Sequence, residues 1–490
     1  MTENKDNQSS RSKKNYFYLI TFVISILLIG LSQVFRVFSN KVNVIGWADI
    51  LPIFHQTASQ RFASQGLSIF AFAFFLYSVL QSQAFQAFFA ARRQWLEKRK
   101  YLAIALITLG AAALSTSLSW FDEFVHFYPL VVPVLIGMGF DVFSSLLCLY
   151  GGSIAGLMGL VSSERMRGHF ENTFSGVKGI DHNGGLAGIS FRLISLLLCA
   201  SLVILFNIWY CNRNKNVNDR KVKEVVAAPP FTRTRKIVLA LTAFFLGITF
   251  LAQCIPVKFT EKITQNIPEQ ISSGNTEKEY EDQGEVGKTE IAKIKYENKT
   301  FWDKFGKWEE RSLDSWLIFG GIIICLITKQ SLIKNLISAA QNSIPLLLIY
   351  VFSALPAAIL KESKLGGLLA KFILPDKVIS GAKYLALIPI FLLAIVLGFL
   401  VCSPSMAAIL VSALAPALKA LSPTILIYAA IFAWVGVILG MTFSANNGIL
   451  QASLEKNQLS YTPFIKKVWP LWLMLFLVAF GLVIGWTFLI

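Results

Sequence analysis

Carboxylates are scarce in the apolar parts of this sequence, and two of the few stand side by side. All but three of the 28 acidic residues fall in polar loops, and the exceptions are Asp122, Glu123 and Asp141. An ionised carboxylate at membrane depth is costly unless it is paired, so an acid in such a place is a functional candidate. Asp141 begins a predicted helix and fits an N-cap. Asp122 and Glu123 either bind a cation within the membrane or form an interfacial pair at a helix end.

Small polar side chains interrupt the apolar sequence at four places and form the second class of candidate binding groups. These candidates are Ser115, Thr116, Ser117 and Ser119 beside the acids, Ser162 and Ser163, Ser403 and Ser405, and Thr442, Ser444, Asn446 and Asn447. A single Ser or Thr in a membrane helix usually bonds back to its own helix. Four clusters at matching places in the two halves of the chain favour interrupted helices instead. The free N–H and C=O groups of such breaks bind ions and charged substrates.

Motifs for covalent or cofactor chemistry are missing from the sequence. It has no phosphate-binding loop, dinucleotide fingerprint or nucleophile elbow. The four histidines lack metal-ligand spacing, and none of the six cysteines forms a CxxC pair. We therefore expect no enzyme activity, no catalytic residue, no metal and no cofactor, with Na⁺ or H⁺ as a possible coupling ion.

The elements that must position these side chains are membrane helices. The chain is 55% hydrophobic and 15% charged, against about 25% charged in soluble domains. Apolar runs of about 20 residues, the length that crosses a hydrocarbon core as a helix, include Tyr16–Val37, Ser190–Tyr210, Ile237–Cys254 and Val468–Ile490. The net charge of +17 lies largely in short loops between these runs, so we expect no nucleic-acid partner and a lipid bilayer as the surroundings.

Loop charge sets the orientation. Lys and Arg are about twice as dense in one set of loops as in the other, and the denser set is expected to be cytoplasmic. The basic loops are Met1–Asn15, Arg92–Lys100, Cys211–Lys236, Lys329–Lys334 and Ile449–Lys467. The other loops are Ser39–Gln65, Glu164–Gly188, Val257–Asp314 and Lys361–Lys383. The sequence therefore predicts a multi-pass protein of the cell membrane with a cytoplasmic N-terminus.

Two apolar regions have a length that fits neither one span nor an ordinary loop. Tyr101–Phe140 and Tyr384–Lys419 are each interrupted near the centre by polar residues. Each is either two full spans with a tight turn or a hairpin that enters and leaves the membrane on one side. Two spans would put the polar tip in water on the far side, whereas a hairpin would bury it near the midplane.

With hairpins, the two halves of the chain share one order of elements: span, span, hairpin, span, span. The predicted fold is therefore an all-α polytopic membrane protein with two inverted repeats, each having spanning helices, a re-entrant hairpin and a broken helix. Residues 1–14 would form a cytoplasmic tail and 15–212 the first repeat. Residues 213–314 would link the repeats through one span (237–254) and a polar extracellular loop (257–314), and 315–490 would form the second repeat.

One segment resembles a known family. Asp122 to Val134 contains an acidic pair followed by Phe-Tyr-Pro, and Gly139-Phe140-Asp141 follows it. This pattern is similar to the YfcC-type family, also called the C4-dicarboxylate anaerobic carrier-like family, which includes arginine/ornithine antiporters. Gly188 to Ile194 and Lys467 to Leu471 match more weakly. At the hairpin tips and helix breaks the polarity of the family is kept but the residue identities differ, which leaves substrate and coupling ion open.

The resemblance implies an ion-transporter-superfamily fold, a homodimer, and basic amino acids or C4-dicarboxylates as small-molecule substrates. Two adjacent acids with no clear matching base in the membrane favour a cationic substrate, since Arg36, Arg192 and Lys419 sit near segment ends. The first hypothesis is a secondary active transporter that exchanges basic amino acids. The alternatives are a cation-coupled C4-dicarboxylate carrier and a membrane scaffold that binds partners through loop 257–314.

Overall fold

A computed structural model describes the protein over most of its length. The described residues are 3–38, 42–92, 95, 98–118, 121, 123–161, 163–174, 180, 185–214, 229–254, 310–375, 377, 379, 381 and 383–490. Helices and the turns that join them account for these residues, and no strand occurs among them. The predicted polar loop 257–314 falls outside the described residues as far as residue 309.

The first half of the chain and the connecting helix are divided among ten described helices. They are α1 (Glu3–Phe38), α2 (Ile50–Arg61), α3 (Leu67–Gln81), α4 (Ala84–Ala91), α5 (Lys100–Leu118), α6 (Tyr128–Gly137), α7 (Val142–Gly159), α8 (Ser163–Phe174), α9 (Ile189–Arg213) and the connecting α10 (Arg233–Cys254). The second half contains α11 (Glu310–Thr328), α12 (Leu332–Glu362), α13 (Leu365–Ile373), α14 (Leu387–Val401), α15 (Ser405–Leu421), α16 (Pro423–Met441), α17 (Gly448–Lys456) and α18 (Tyr461–Leu489).

Nine of the described helices are long and apolar enough to cross a bilayer, or ten spans if the bent pair α3 and α4 counts as one. The prediction of an all-α polytopic membrane protein is therefore confirmed for the described residues. The element order also repeats: α5, α6 and the interrupted α7–α8 in the first half correspond to α14, α15 and the interrupted α16–α17 in the second.

The two predicted hairpins differ in their second arms. Helix α6 has 10 residues and rises only about 15 Å, too little to cross the hydrocarbon core. Helix α15 has 17 residues. In the first hairpin, α5 is long enough to count among the candidate spans. In the second, α14 counts only together with the turn before it, as Tyr384–Val401. The first hairpin therefore pairs a long arm with a short one.

Several segments that the sequence analysis treated as tail or loop are helical. Helix α1 begins at Glu3, because residues 3–14 contain no Pro or Gly that would stop the helix. Helices α2, α8 and α13 lie between candidate spans, where charge density alone indicated loops. A high density of charge indicates that a segment is exposed to solvent. A solvent-exposed segment of residues with high helix propensity still forms a helix.

In each half, the interrupted helix crosses the first arm of its hairpin at a distance that only glycine permits. A Cβ on Gly152 of α7 would lie 2.5 Å from the Thr108 carbonyl oxygen of α5. A Cβ on Gly436 of α16 would lie 2.7 Å from the Phe391 carbonyl oxygen of α14. One turn further on, Gly156 and Gly440 make equally close approaches to α5 and α14. Each half thus contains a Gly-x-x-x-Gly crossing, the packing that lets membrane helices touch through their backbones.

Substitution at the second crossing tests its contribution to stability. Gly440→Ala would drive a methyl group into the Ile395 carbonyl oxygen, so the free energy of unfolding should fall by about 1–3 kcal/mol. Gly481→Ala on α18, with nothing within 4 Å of the new methyl group, should be neutral or slightly stabilising. Unfolding of the purified protein in detergent measures both. Equal effects of the two substitutions would show that the close crossing contributes nothing.

Cysteine labelling tests whether the first hairpin is re-entrant. Ser117 lies half-buried near the end of α5. In a re-entrant hairpin, a cysteine at this position should react slowly with a membrane-impermeant maleimide from either side. Full-rate reaction from the extracellular side alone would mean two complete spans. Labelling of sealed right-side-out and inverted vesicles measures the difference.

Candidate functional site

The structure describes the side chains of most predicted site residues. These are Ser115, Thr116, Ser117, Glu123, Ser403, Ser405, Thr442, Ser444, Asn446 and Asn447. The predicted site residues Ser119, Asp122 and Ser162 lie outside the described residues, and for Ser163 only its place at the start of α8 is described. Asp141, the expected N-cap, does accept a hydrogen bond from the backbone N–H of Ser144 at 2.8 Å.

The first hairpin meets the first helix break. Helix α7 ends where Leu160 adopts a left-handed conformation, with φ of 35°. The Thr116 hydroxyl near the end of α5 accepts a hydrogen bond from the backbone N–H of Val161 at 2.8 Å. The neighbouring Ser115 donates to the Ser153 carbonyl of α7 at 2.7 Å. Both side chains are used to fasten the hairpin arm to the interrupted helix.

Arg192 caps the same break from the side of α9. Its side chain is only 1% exposed. Nη1 donates to the Leu160 carbonyl at 2.6 Å, while Nη2 donates to the Gly185 and Ala187 carbonyls at 2.7 and 3.1 Å. A cation at the C-terminal end of a helix such as α7 satisfies its free carbonyls and opposes its dipole. Arg192 lies near a segment end, as the sequence predicts, and its Nη1 and Nη2 hydrogen bonds go to carbonyls rather than to an acid. A position near a segment end suggested a solvated cation, but the break it caps is itself buried.

The second hairpin meets the second helix break. Ser444 donates from its hydroxyl to the Phe399 carbonyl at 2.7 Å, and Asn446 Nδ2 donates to the Leu400 carbonyl at 3.3 Å. Those two carbonyls belong to the last turn of α14. At the tip itself, the hydroxyl oxygens of Ser403 and Ser405 lie 2.8 Å apart. Ser403 is buried, whereas Ser405 is exposed.

Asn447 joins the two ends of the second break. Its Oδ1 accepts hydrogen bonds from the backbone N–H groups of Ile449 and Leu450, and so caps α17. Its Nδ2 donates to the Met441 carbonyl, the last residue of α16, at 2.8 Å. Thr442, by contrast, bonds back to the Ile438 carbonyl of its own helix. One amide side chain therefore holds a helix end and a helix start together.

Tyr150, in the middle of α7, connects the two halves of the protein. Its hydroxyl donates to the Thr442 carbonyl and accepts a hydrogen bond from Asn447 Nδ2 at 3.4 Å. The Tyr150 hydroxyl thus links the interrupted helix of the first half to the helix break of the second half by hydrogen bonds. The sequence analysis missed Tyr150 because a tyrosine within an apolar run is usually a core residue; its signal was only its position in an interrupted span.

Glu123 is linked to the same tyrosine through Phe121. The Phe121 ring packs 5.7 Å from the Tyr150 ring, centre to centre. Glu123 Oε2 accepts a hydrogen bond from the backbone N–H of Phe121 at 3.2 Å, and the side chain is half-buried. The carboxylate therefore lies at the first hairpin tip and is connected to the second break through Phe121 and Tyr150.

Two further polar side chains near this tip were missed by the sequence analysis. The short turn Glu123–His126 packs against α17. His126 Nε2 and the hydroxyl of Ser453 on α17 are both buried and have no hydrogen-bond partner among the described residues. A lone histidine and a lone serine carry no spacing signal in a sequence. Buried polar groups without partners are rare, so each of the two side chains is a further candidate for the site between the tip and α17.

Among the residues that the structure describes, helix ends, hydroxyls, amides and the carboxylate of Glu123 make up this site. Such groups bind small ions and charged organic molecules through backbone dipoles and hydrogen bonds. Among the residues that the structure describes, no group of three His, Cys, Asp or Glu side chains could hold a metal ion.

Comparison with known proteins gives limited similarity. No family model matches the sequence. An uncharacterized protein of Haemophilus influenzae is 31% identical over 137 residues, which cover 24% of this chain and 25% of that protein. The structure of the Alcanivorax borkumensis YdaH transporter, described as having an unusual topology, matches over 96% of this chain and 98% of its own, with 15% identity and a TM-score of 0.44. These values assign no family, and the YfcC-type resemblance stays a prediction.

Removal of the Tyr150 hydroxyl tests the connection between the halves. Tyr150→Phe keeps the ring but leaves the Thr442 carbonyl without its donor, which should lower the free energy of unfolding by about 1–3 kcal/mol. Tyr384→Phe removes a hydroxyl from an exposed tyrosine and should change stability little. Unfolding of both variants in detergent gives the comparison. Indistinguishable midpoints would show that this hydrogen bond does not hold the breaks together.

Proposed function

We propose that this protein is a secondary active transporter whose substrate binds where the two interrupted helices meet. The observation that carries the proposal is the Tyr150 hydroxyl, which joins α7 of the first half to the break between α16 and α17. Transporters built from two repeats place their sites between the repeats, at unwound helices near the bilayer midplane. Glu123, Asn446 and Asn447 are the side chains we assign to this site.

The hydrogen bonds at the second break support a change of state during transport. The carbonyls of Met441 and Thr442 accept from Asn447 and Tyr150, and that of Phe443 accepts from Tyr461 at 2.8 Å. A cation that replaced these donors would receive the same carbonyls as ligands. Exchange of side-chain caps for an ion would then couple ion binding to movement of α7 against α16. Na⁺ is the coupling ion that fits these carbonyls, whereas coupling to H⁺ would need a titratable side chain such as Glu123.

A basic amino acid is the substrate class we favour. Glu123 provides a carboxylate for the cationic side chain, and the positive end of the α17 dipole attracts the substrate carboxylate, which would replace the Asn447 cap on the backbone N–H groups of Ile449 and Leu450. A substrate with a positive end and a negative end therefore finds a partner for each. Exchange of one such amino acid for another of the same charge would move no net charge across the membrane.

A C4-dicarboxylate carrier is the second candidate, and Arg192 favours it. Its guanidinium lies at the first break, and Nε makes no hydrogen bond within the protein. A dianion would be attracted to this charge. Against this reading, Nη1 and Nη2 already donate to three carbonyls, so the charge is largely used to cap α7.

The proposed transporter is a homodimer in the plasma membrane, with its N-terminus in the cytoplasm.

Neutralisation of Glu123 tests the assignment of the cationic substrate. Glu123→Gln keeps shape and polarity but removes the charge, so arginine/ornithine exchange in proteoliposomes should fall about tenfold or more if the carboxylate pairs with the substrate. Glu171→Gln is the matched control, because Glu171 is an exposed acid that pairs with Arg167 on α8. Equal exchange by wild type and Glu123→Gln would remove Glu123 from the site.

The choice of substrate class has its own readout. Labelled arginine, ornithine, succinate and aspartate are offered in turn to proteoliposomes that hold the purified wild-type protein. Uptake of succinate without arginine would establish the dicarboxylate carrier. Deletion of residues 257–309 tests the remaining hypothesis of a scaffold that binds partners through this loop. Transport should survive the deletion, whereas partner binding by a scaffold should be lost.

A further inference from the structure

A cavity separate from the helix breaks lies between α9 and α18. It has a volume of about 440 Å³, within the range of small-molecule sites. Its lining residues are Asp141, Trp209, Tyr210, Arg213, Asn214, Lys466, Lys467 and Pro470. We propose that this cavity binds the phosphate-bearing headgroup of an anionic phospholipid.

The charge of the cavity is the first argument. Three cations, Arg213, Lys466 and Lys467, face one carboxylate, that of Asp141. Asp141 is already engaged, since Oδ1 accepts from the Ser144 backbone N–H and Oδ2 accepts from the Tyr210 hydroxyl at 3.2 Å. No described carboxylate forms an ion pair with any of the three cations. The cavity therefore carries excess positive charge that an anion would satisfy.

Aromatic rings hold two of these cations in place. The Lys467 ammonium lies 5.3 Å from the centre of the Phe143 ring and 5.7 Å from that of Tyr210. The Arg213 guanidinium lies 5.5 Å from the centre of the Trp209 ring. Such cation–π contacts orient the charges without neutralising them, so their hydrogen-bond donors remain available to a phosphate.

The position of the cavity in the sequence points to a lipid rather than to a soluble anion. Arg213 is the last residue of α9, whose preceding apolar run ends at Tyr210. Lys466 and Lys467 directly precede the apolar run Val468–Ile490 of α18. The cations of both helices thus stand where hydrocarbon gives way to headgroups. Trp209 and Trp469 at this level are about half exposed, as is usual for tryptophans of the interfacial belt.

Loop charge places this interface on the cytoplasmic side, where both adjoining loops belong to the basic set. Basic pockets between membrane helices on that side bind anionic lipid headgroups. The occupant we assign is therefore a phosphatidylglycerol-like lipid of the inner leaflet, with its phosphate near Lys466, Lys467 and Arg213 and its acyl chains along α9 and α18.

Thermal unfolding of the full-length protein in detergent tests the proposal. Short-chain phosphatidylglycerol should raise the unfolding temperature of the wild type, whereas phosphatidylcholine and inorganic phosphate at the same concentration should not. Lys466→Gln combined with Lys467→Gln should weaken the affinity for phosphatidylglycerol about tenfold or more, since each cation near an anionic headgroup contributes several-fold. Lys334→Gln combined with Lys371→Gln, two exposed lysines outside the cavity, should bind as the wild type does.

Each remaining outcome contradicts the proposal in a distinct way. Stabilisation by inorganic phosphate equal to that by phosphatidylglycerol would make this a site for a soluble anion. Full lipid affinity in the cavity double variant would place the lipid elsewhere. If that variant does not fold, Arg213→Gln removes a charge from the opposite wall and should also weaken phosphatidylglycerol binding; an unchanged affinity would overturn the assignment. Lipid binding here does not depend on the transport proposal, because neither Glu123 nor the helix breaks line the cavity.

Discussion

Two backbone-to-backbone helix crossings, α5 with α7 and α14 with α16, determine where the rest of the candidate site can lie. Within a bilayer, helices gain little from burying apolar side chains, because lipid tails are equally apolar. Close contact through Gly152 and Gly156, and through Gly436 and Gly440, supplies dispersion attraction instead. Since each crossing involves the first arm of a hairpin and an interrupted helix, each also brings a hairpin tip to a helix break. Two hydrogen bonds result: the backbone N–H of Val161 donates to the Thr116 hydroxyl, and the Ser444 hydroxyl donates to the Phe399 carbonyl.

A second constraint comes from the breaks themselves. Free carbonyl and N–H groups are costly in an apolar interior, so every break must be satisfied by other groups. At the first break, Arg192 of α9 supplies the donors. At the second, Asn447 acts from within the break, and Tyr150 reaches it from the other half of the chain. Helices that are far apart in sequence thus depend on one another for their termination.

Much of this architecture could be predicted from the sequence, because membrane spans leave a strong signal. Length and apolarity located the spans, and polar clusters located both hairpin tips and both breaks. Pairwise contacts were much harder. Tyr150 and His126 are ordinary residues of apolar segments until a partner helix is placed beside them. The burial of Arg192 could not be predicted, because a position near a segment end does not show which helices pack around the side chain. Helices between the spans, such as α2 and α8, were predicted as loops because charge indicates exposure to solvent and not backbone conformation.

The electrostatic character of the site follows from the difference between Arg192 and Glu123. The guanidinium is surrounded by three carbonyl acceptors and the negative end of the α7 dipole, so much of its field is cancelled locally. Glu123 accepts a backbone hydrogen bond from Phe121, and its side chain is half-buried at the first hairpin tip. Of these two opposite charges, the positive one is therefore committed to structure, and the negative one is the group that we propose for a cationic part of the substrate. This asymmetry is the physical reason to favour a cationic substrate group over a dianion.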